Sequence, residues 1–413
     1  MKRVVLLFII GFFVSCNGER IPIQTAVYPK VGIKEKIEKG IPEDAVPTAS
    51  SAFTQAIDRY FMQAVNNGQI LGAAVAIVSQ DGLVYQSGYG RRSAQSNVPI
   101  DEHTVFRIGS LSKSVTGVLM GTLVDQEILG WEDKVSERLP NFQLSDPDHA
   151  RQITLRHLLS HSSGMPYHTY TNLVEAGLSL EEITKELDSV EDLQPLGQIF
   201  SYQNAVFALS GEMAQDASGQ DMRTLLQKNL FEPLGMQDAS ADYTSIMAEE
   251  NKAVPHKGGQ GQWWPASINE KYYNAIGAGG INASISDMAE ILYLMLGQRA
   301  DVIEPATLEK ITTPQIATRD KYRYYHKWDD HQESFYGMGW RIHHFDHPDG
   351  RDTLMHHGGY VNGFRSEIAI SKKSGVGICV LFNNPNRFSR TVIPDLLEKY
   401  RKDQNSNPNP NSN

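Results

Sequence analysis

Phe106-Arg107-Ile108-Gly109-Ser110-Leu111-Ser112-Lys113 is the most informative stretch of the sequence, because it places a Ser-x-x-Lys tetrapeptide at the start of a helical pattern. Apolar residues recur after it at helical spacing: Val115, Val118, Leu119 and Leu123. This spacing predicts a helix over Ser112 to Gln126. Residues three apart share a helical face, so Ser110 and Lys113 are expected to meet in one pocket.

Such a pair has the chemistry of an activated nucleophile. A serine hydroxyl needs a nearby base, and a lysine whose pKa is lowered by burial can supply one. The N terminus of a helix adds unpaired N–H groups and partial positive charge beside the serine. Taken alone, the tetrapeptide is better explained as an ordinary helix start with one exposed lysine, because serine and lysine are common residues.

Two further segments carry polar groups that are candidates for the same site. Tyr202 and Asn204 are two residues apart, so in extended backbone both side chains face one side. A phenol can relay a proton and an amide can hold a substrate, although an aromatic packed at a helix entrance with Asn204 as its N-cap is also compatible. His357-Gly358-Gly359 joins a strand to glycines that let a ligand approach the backbone, or forms a bulged strand.

The flanking sequence predicts an antiparallel sheet made from both ends of the chain. Ala73 to Val78 and Leu83 to Gln86 are separated by Asp81-Gly82, which is a strong hairpin signal. Four more strands are expected near the C terminus: Arg341 to His344, Thr353 to His356, Phe364 to Ile370 and Gly375 to Phe382. Successive strands with tight turns indicate antiparallel pairing.

Helices are expected before, within and after this sheet. Phe53, Ile57 and Phe61 recur at helical spacing, and the segment from Val392 to Tyr400 does the same. Residues 111–300 are mainly helical in pattern. We therefore predict an α+β fold, in which N- and C-terminal helices flank the sheet and a helical subdomain is inserted, with a ligand cleft at the junction.

The three motifs together resemble the serine β-lactamase and penicillin-binding family. The sequence is most similar to its class C branch, which includes D-alanyl-D-alanine carboxypeptidases, esterases and D-aminopeptidases. Tyr202-Gln203-Asn204 matches the Tyr-x-Asn motif of that branch, and His357-Gly358-Gly359 stands at its Lys-Thr-Gly position. The resemblance runs from about residue 52 to 400. Further matching segments are His157 to Gly164, Pro233 to Met236, Gly277 to Ile281, Asp287 to Ala289 and Tyr336 to Trp340.

The resemblance implies roles for the residues of the first two motifs. Ser110 would attack a carbonyl and become an acyl-enzyme, while Lys113 and Tyr202 would share the proton transfers. The sequence does not decide which of the two is the general base. Two groups that exchange protons titrate as a pair, so the role need not belong to one of them. Asn204 would orient the substrate amide or the lysine.

The third motif would complete the site. The backbone N–H groups of Ser110 and Tyr360 would form the oxyanion hole. His357 would meet a substrate carboxylate or another polar end, with Gly358 and Gly359 beside it. The lactamases carry Lys and Thr where this chain has His357 and Gly358, and histidine is largely neutral near pH 7. We therefore predict weak or absent β-lactamase activity.

Three functional hypotheses follow. The first is a serine hydrolase of the cell envelope that acts on a D-amino-acid peptide, an amide or a β-lactam-like compound. The second is a carboxylesterase with the same machinery. The third is a catalytically silent penicillin-binding-like protein, against which the intact Ser110, Lys113 and Tyr202 argue.

Composition excludes several classes of binding partner and cofactor. The chain has 413 residues, 40% of them hydrophobic, and a net charge of −10, so a nucleic-acid surface is not expected. Two cysteines allow neither a disulfide framework nor a cysteine-based zinc site. The histidines at 343, 344, 347, 356 and 357 suggest a metal, but histidines alternating between strand faces explain them better, and we expect no metal or other cofactor. The substrate is a small molecule or peptide, and the oligomeric state is left open.

The termini carry targeting and disorder signals. Lys2 and Arg3 precede an apolar run that ends at Ser15-Cys16, which indicates a secretory signal peptide over 1–15. The end of that run resembles a lipobox, so Cys16 is the expected lipidation site, although a plain signal peptide is the alternative. A lipid anchor would place the protein in the periplasm or on the outer face of the envelope. Residues 16–50 fit a tether, 51–400 the folded body and 401–413 a disordered tail.

Overall fold

The computed structural model of the protein describes Ile41 and residues 49–318, 323–348 and 350–406. All of them belong to one unit that spans residues 39–413. The predicted signal peptide at 1–15, Cys16 and most of the predicted tether at 16–50 lie outside the described residues, as do residues 407–413. In the described ranges no helix is both long and apolar enough to cross a membrane.

The strands account for the sheet that the sequence predicts. Twelve strands are present in the described part of the chain: β1 (Gly72–Ser79), β2 (Gly82–Gly90), β3 (Phe106–Arg107), β4 (His256–Gly259), β5 (Gln262–Pro265), β6 (Asn282–Ala283), β7 (Ile316–Ala317), β8 (His331–Tyr336), β9 (Arg341–His347), β10 (Gly350–Val361), β11 (Phe364–Ser371) and β12 (Val376–Phe382). Eight of them form one antiparallel sheet in the order β2-β1-β12-β11-β10-β9-β8-β7. The predicted α+β class and antiparallel sheet are confirmed.

The β1–β2 hairpin forms where Asp81-Gly82 predicts it. Ser79 pairs with Gly82, and Gly82 has φ +117°, a conformation that favours glycine. Every residue of β1 is buried, because Ala74 and Ala76 enter one core cluster while Val75 and Ile77 enter another on the opposite face. A strand covered on both faces has a continuous apolar run instead of an alternating one.

Helices cover both faces of the sheet and build the inserted part. The described residues form α1 (Ser51–Asn66), α2 (Leu111–Asp125), α3 (Val135–Arg138), α4 (Pro147–Ala150), α5 (Leu155–Leu159), α6 (Thr171–Ala176), α7 (Leu180–Lys185), α8 (Asn204–Ser218), α9 (Met222–Leu226), α10 (Glu232–Leu234), α11 (Tyr243–Ala248), α12 (Ile276–Gly279), α13 (Ile285–Met295), α14 (Pro305–Ile311) and α15 (Val392–Ser406). A π-helical segment, Gln227–Phe231, joins α9 to α10.

The helices divide into layers around the sheet. Helices α1 and α15 pack together on one face, and α13 packs on β1 and β12. Helix α2 contacts β10 and β11 on the same side as α13, and also contacts α8 and α12 of the inserted part. The first and last long helices of the predicted 111–300 subdomain, α2 and α13, therefore pack on the sheet. The insertion also contains the β4–β5 hairpin, which helical periodicity did not indicate.

The final helix is longer than the sequence predicts. Residues 401–406 were expected to belong to a disordered tail, but α15 continues to Ser406. Polar contacts explain the extension: Arg401 lies 2.7 Å from Asp352, and the Ser50 hydroxyl donates to Asp403 at 2.6 Å. Ser50 also caps α1, so the folded body begins slightly before residue 51.

Candidate active site

Ser110 lies at the point where the chain turns from β3 into α2. Gly109 precedes it with φ +56°, and Ser110 itself is the N-cap of α2. Its side chain makes no capping hydrogen bond, so the hydroxyl is not used to close the helix end. Ser110 is partly exposed, whereas Leu111 to Leu123 are buried along the helix. The helix is thus anchored in the core while its first hydroxyl faces the cleft.

Lys113 is fully buried one helical turn after Ser110. Its Nζ donates to Asn204 Oδ1 at 2.7 Å and to the Ala278 carbonyl at 2.7 Å. Burial lowers the pKa of Lys113 well below its usual value, and the positive charge of Arg341 lowers it further. An uncharged amine has two N–H groups and one lone pair, so these two acceptors occupy both N–H groups and leave the lone pair free to accept a proton.

Tyr202 reaches the same pocket from the segment that leads into α8. Its ring centroid lies 4.8 Å from Lys113 Nζ. Burial raises the pKa of Tyr202, while the neighbouring Ser110 hydroxyl and the charge of Arg341 act in the opposite direction. The structure therefore brings Ser110, Lys113, Tyr202 and Asn204 together.

His161 lies beneath Tyr202. The two ring centroids are 4.4 Å apart, and His161 Nδ1 accepts the backbone N–H of Gln203 at 3.2 Å. Burial lowers the pKa of His161 well below its usual value, with Lys113 and Arg341 contributing, so the imidazole is neutral. This arrangement fits a residue that packs Tyr202 in place.

Strand β10 runs along the Ser110 turn, and its glycines permit the contact. A Cβ placed on Gly359 would collide with the Ile108 carbonyl and with Ser366 Oγ, and one on Gly109 would lie 3.0 Å from Tyr360 N. The Ser366 hydroxyl donates to the Ile108 carbonyl at 2.7 Å and fixes the strand against the turn. The backbone of Tyr360 thus lies next to the Ser110 turn.

His357 occupies a different position from the one that the resemblance implies. It is 1% exposed, and both ring nitrogens have partners: Tyr336 Oη at 3.0 Å from Nε2, and the Gly358 carbonyl at 3.0 Å from Nδ1. Burial, followed by the charges of Arg341 and Lys113, lowers the pKa of His357 well below its usual value. A neutral, internally bonded imidazole offers no cation to a substrate carboxylate.

Arg341 is a site residue that the sequence analysis missed. It is 7% exposed at the start of β9, and its guanidinium lies 5.7 Å from the Tyr202 ring centroid and 5.6 Å from that of Tyr336. It donates to Tyr325 Oη at 2.9 Å. Arg341 directly follows the matching segment Tyr336 to Trp340. A charged residue at the start of a predicted strand was the sequence signal that could have identified it.

The histidines near the sheet edge form hydrogen bonds with one another and with their neighbours. His343 Nε2 lies 3.2 Å from His356 Nδ1, and His356 Nε2 lies 2.9 Å from Glu367. His357 faces the opposite side of the sheet. Among the described residues, no three His, Cys, Asp or Glu side chains are placed to hold a metal ion.

Sequence comparison assigns the chain to a known family. The profile of the Beta-lactamase family matches residues 57–400, so the chain belongs to that family. It is 27% identical over 326 residues to a D-aminopeptidase of Gluconobacter oxydans, covering 76% of this chain and 56% of that protein. It is 23% identical to the unguisins hydrolase ungD of Aspergillus violaceofuscus, covering 79% of this chain and 60% of that protein. The chain thus spans about 60% of the length of the curated relatives it matches.

Solved structures share the fold. A penicillin-binding protein homologue from Pyrococcus abyssi, described as octameric, superposes with a TM-score of 0.70 at 22% identity, covering 83% of this chain and 77% of that one. EstCE1, described as a hydrolase with promiscuous acyltransferase activity, gives 0.68 at 19% identity, covering 85% and 97%. The curated relatives therefore include hydrolases, one of them a D-aminopeptidase.

Proposed function

We propose that the protein is a serine hydrolase that forms an acyl-enzyme on Ser110, with an amide or peptide of a D-amino acid as substrate. The observation that carries this proposal is the buried Lys113, which lies one helical turn after Ser110, bonds Asn204 and Ala278, and has the Tyr202 ring 4.8 Å from its Nζ, with its pKa lowered well below the usual value. A hydroxyl with a neutral amine and a phenol in one pocket has the parts that acyl transfer needs.

The first half-reaction moves one proton from Ser110 to the leaving group. Ser110 Oγ attacks the substrate carbonyl carbon while its proton passes to the Lys113 lone pair, directly or through Tyr202. The backbone N–H groups of Ser110 and Tyr360 stabilise the negative oxygen of the tetrahedral intermediate. Tyr202 protonates the departing nitrogen or oxygen and is reprotonated by the Lys113 ammonium. The C–N or C–O bond breaks, and the acyl group stays on Ser110.

Water completes the reaction by the reverse route. A water molecule attacks the acyl carbonyl carbon and gives one proton to the Lys113 and Tyr202 pair. The bond to Ser110 Oγ then breaks, and the serine takes that proton back. We assign the base role to Lys113 because burial lowers the pKa of the amine, whereas the pKa of Tyr202 is raised.

Two observations bear on the substrate class. The D-aminopeptidase relative supports a D-amino-acid amide. The guanidinium of Arg341, buried beside Tyr202, is a fixed positive charge that a substrate carboxylate could meet in place of His357. The alternative, a carboxylesterase, is favoured by the neutral state of His357, since a simple ester needs no cation on that wall. A location in the cell envelope rests on the signal at residues 1–16.

Covalent labelling tests the proposal. Full-length protein is incubated with a fluorophosphonate, and the adduct is located by mass spectrometry in wild type and in Ser110→Ala. We expect an adduct on Ser110 that the variant lacks. Hydrolysis of D-amino-acid p-nitroanilides, D-Ala-D-Ala peptides, short p-nitrophenyl esters and nitrocefin then separates peptidase, esterase and lactamase activity. An unlabelled Ser110, or nitrocefin as the fastest substrate, would contradict the assignment.

A further inference from the structure

The direction of the Asn204 amide controls how Lys113 is bonded. Lys113 can use Asn204 as an acceptor only if the amide oxygen faces it, as in the structure, where Nζ and Oδ1 are 2.7 Å apart. A rotation of the amide by half a turn would present Nδ2, a donor, to the amine. One amine N–H would then lose its acceptor, and the lone pair would no longer be held free for Ser110.

Tyr272 bonds the other end of that amide. Asn204 Nδ2 donates to Tyr272 Oη at 3.3 Å, and Tyr272 Oη donates to Glu175 Oε1 at 3.1 Å. A carboxylate can only accept, so Glu175 fixes the direction of the phenol proton. The phenol oxygen then presents its lone pairs to Asn204 Nδ2. The chain Lys113, Asn204, Tyr272, Glu175 is thus directed from donor to acceptor at every step.

The backbone of Tyr272 is unusual for such a bulky residue. Its φ is +72°, in the left-handed region, which costs a non-glycine residue free energy and is found at functional positions. A Cβ on Gly279 would lie 3.1 Å from the Tyr272 ring, so Gly279 leaves the room that the ring needs. Gly279 follows Ala278, whose carbonyl is the second acceptor of Lys113. Tyr272 therefore bonds one of the two groups that bind the lysine, Asn204, and packs beside Gly279, the residue that follows the other.

We infer that Tyr272, with Glu175 as its acceptor, is a positioning residue for Lys113. It holds the Asn204 amide with its oxygen toward the amine and so keeps the lysine lone pair available to Ser110. This inference rests on the proposed function, because it assigns a role within the same reaction. Glu175 also forms an ion pair with Lys271 at 3.5 Å at the protein surface, which leaves its other oxygen to bond Tyr272.

Tyr272→Phe tests the inference, because it removes the hydroxyl and keeps the ring. With the best substrate from the panel above, kcat should fall about five- to tenfold, the value of roughly one lost hydrogen bond, with KM changed less than about twofold. Glu175→Ala, at a half-exposed side chain, should lower kcat in the same direction by a smaller factor. Tyr273→Phe is the matched control, since that phenol bonds Asn282 and not Asn204, and kcat should be unchanged.

A double-mutant cycle separates this role from a structural one. In an Asn204→Ala background, Tyr272→Phe should change kcat by less than about twofold, because the group it positions is gone. An equal loss in both backgrounds, no loss in either single variant, or a change confined to KM would overturn the inference while the proposed function stands. Wild-type protein without Ser110-dependent hydrolysis would overturn both.

Discussion

At the scale of single residues, the environment of Lys113 decides what the site can do. The side chain is buried with two carbonyl-type acceptors, and no carboxylate among the described residues counteracts the lowering of its pKa. The rate of Ser110 acylation should therefore rise with pH as the lysine loses its proton, and become constant above its lowered pKa. Acylation that required the protonated amine would show the opposite dependence.

Lys113→Met tests whether the amine is needed for acylation. Methionine fills a similar volume without an amine, so the rate of acylation should fall by about a thousandfold, within the range known for loss of a general base. Stability should change by no more than about 2 kcal/mol, because two acceptors lose a donor while a costly buried amine is removed. The measurements are Ser110 labelling kinetics and urea unfolding. Lys185→Met, at an exposed lysine, is the control and should retain full activity.

The candidate site residues could be chosen from the sequence, but their burial and hydrogen-bond partners could not. The spacing of Ser110 and Lys113 predicted that they lie on one helical face, and the other two motifs were needed to expect a shared active site. The position of His357 depends on Tyr336 from a neighbouring strand, and that of Arg341 on aromatic rings from three segments. Side-chain burial and hydrogen-bond partners arise from such distant contacts, so a motif alone cannot supply them.

At the scale of elements, the fit between β10 and the Ser110 turn is the critical contact. Gly359→Ala would place a methyl group against the Ile108 carbonyl and Ser366 Oγ, both of which are held rigidly by their mutual hydrogen bond. We expect β10 to move away from the turn, with a loss of at least about tenfold in kcat and a destabilisation of about 1–3 kcal/mol. Assay of hydrolysis together with thermal unfolding would measure both effects.

The control for that substitution is Gly259→Ala in the β4–β5 hairpin. A Cβ there meets no atom within 4 Å, so activity and stability should stay as in wild type. A Gly359→Ala variant with unchanged kcat would show that the Ser110 turn tolerates movement of β10.

Local sequence signals were reliable for the elements that have a strong period or a turn signal. The β1–β2 hairpin, β9 to β12, α1, α2 and α15 follow from such signals. Strands β7 and β8 were missed, because β7 has only two residues and β8, His331–Tyr336, begins with four polar residues. The β4–β5 hairpin, His256–Gly259 and Gln262–Pro265, was missed because its glycines and proline resemble a loop.

At the scale of the whole molecule, buried neutral histidines make stability depend on pH. Burial lowers the pKa of His161, His343, His356 and His357 in the folded state, with nearby cations adding to the effect. Below about pH 6.5 the unfolded chain binds protons that the folded protein does not, so the free energy of unfolding falls as pH falls. Each group contributes up to about 1.4 kcal/mol per pH unit.

Urea unfolding at pH 7.5, 6.0 and 5.0 measures this dependence, and the midpoint should move to lower urea at each step. His103 provides the control. Partial burial lowers its pKa, but the nearby Asp238 raises it by more, so the net shift is upward. His103→Gln should therefore leave the acid-induced loss in place. A midpoint that does not change between pH 7.5 and 5.0 would contradict the neutral state of the four buried histidines.

The position of β12 has a consequence for assembly of the sheet. This strand, Val376–Phe382, lies between β1 and β11. Its hydrogen bonds join the β1–β2 hairpin to the five strands from β11 to β7. A polypeptide lacking β12 would carry Ser110 and Lys113, but the two parts of its sheet would remain unpaired.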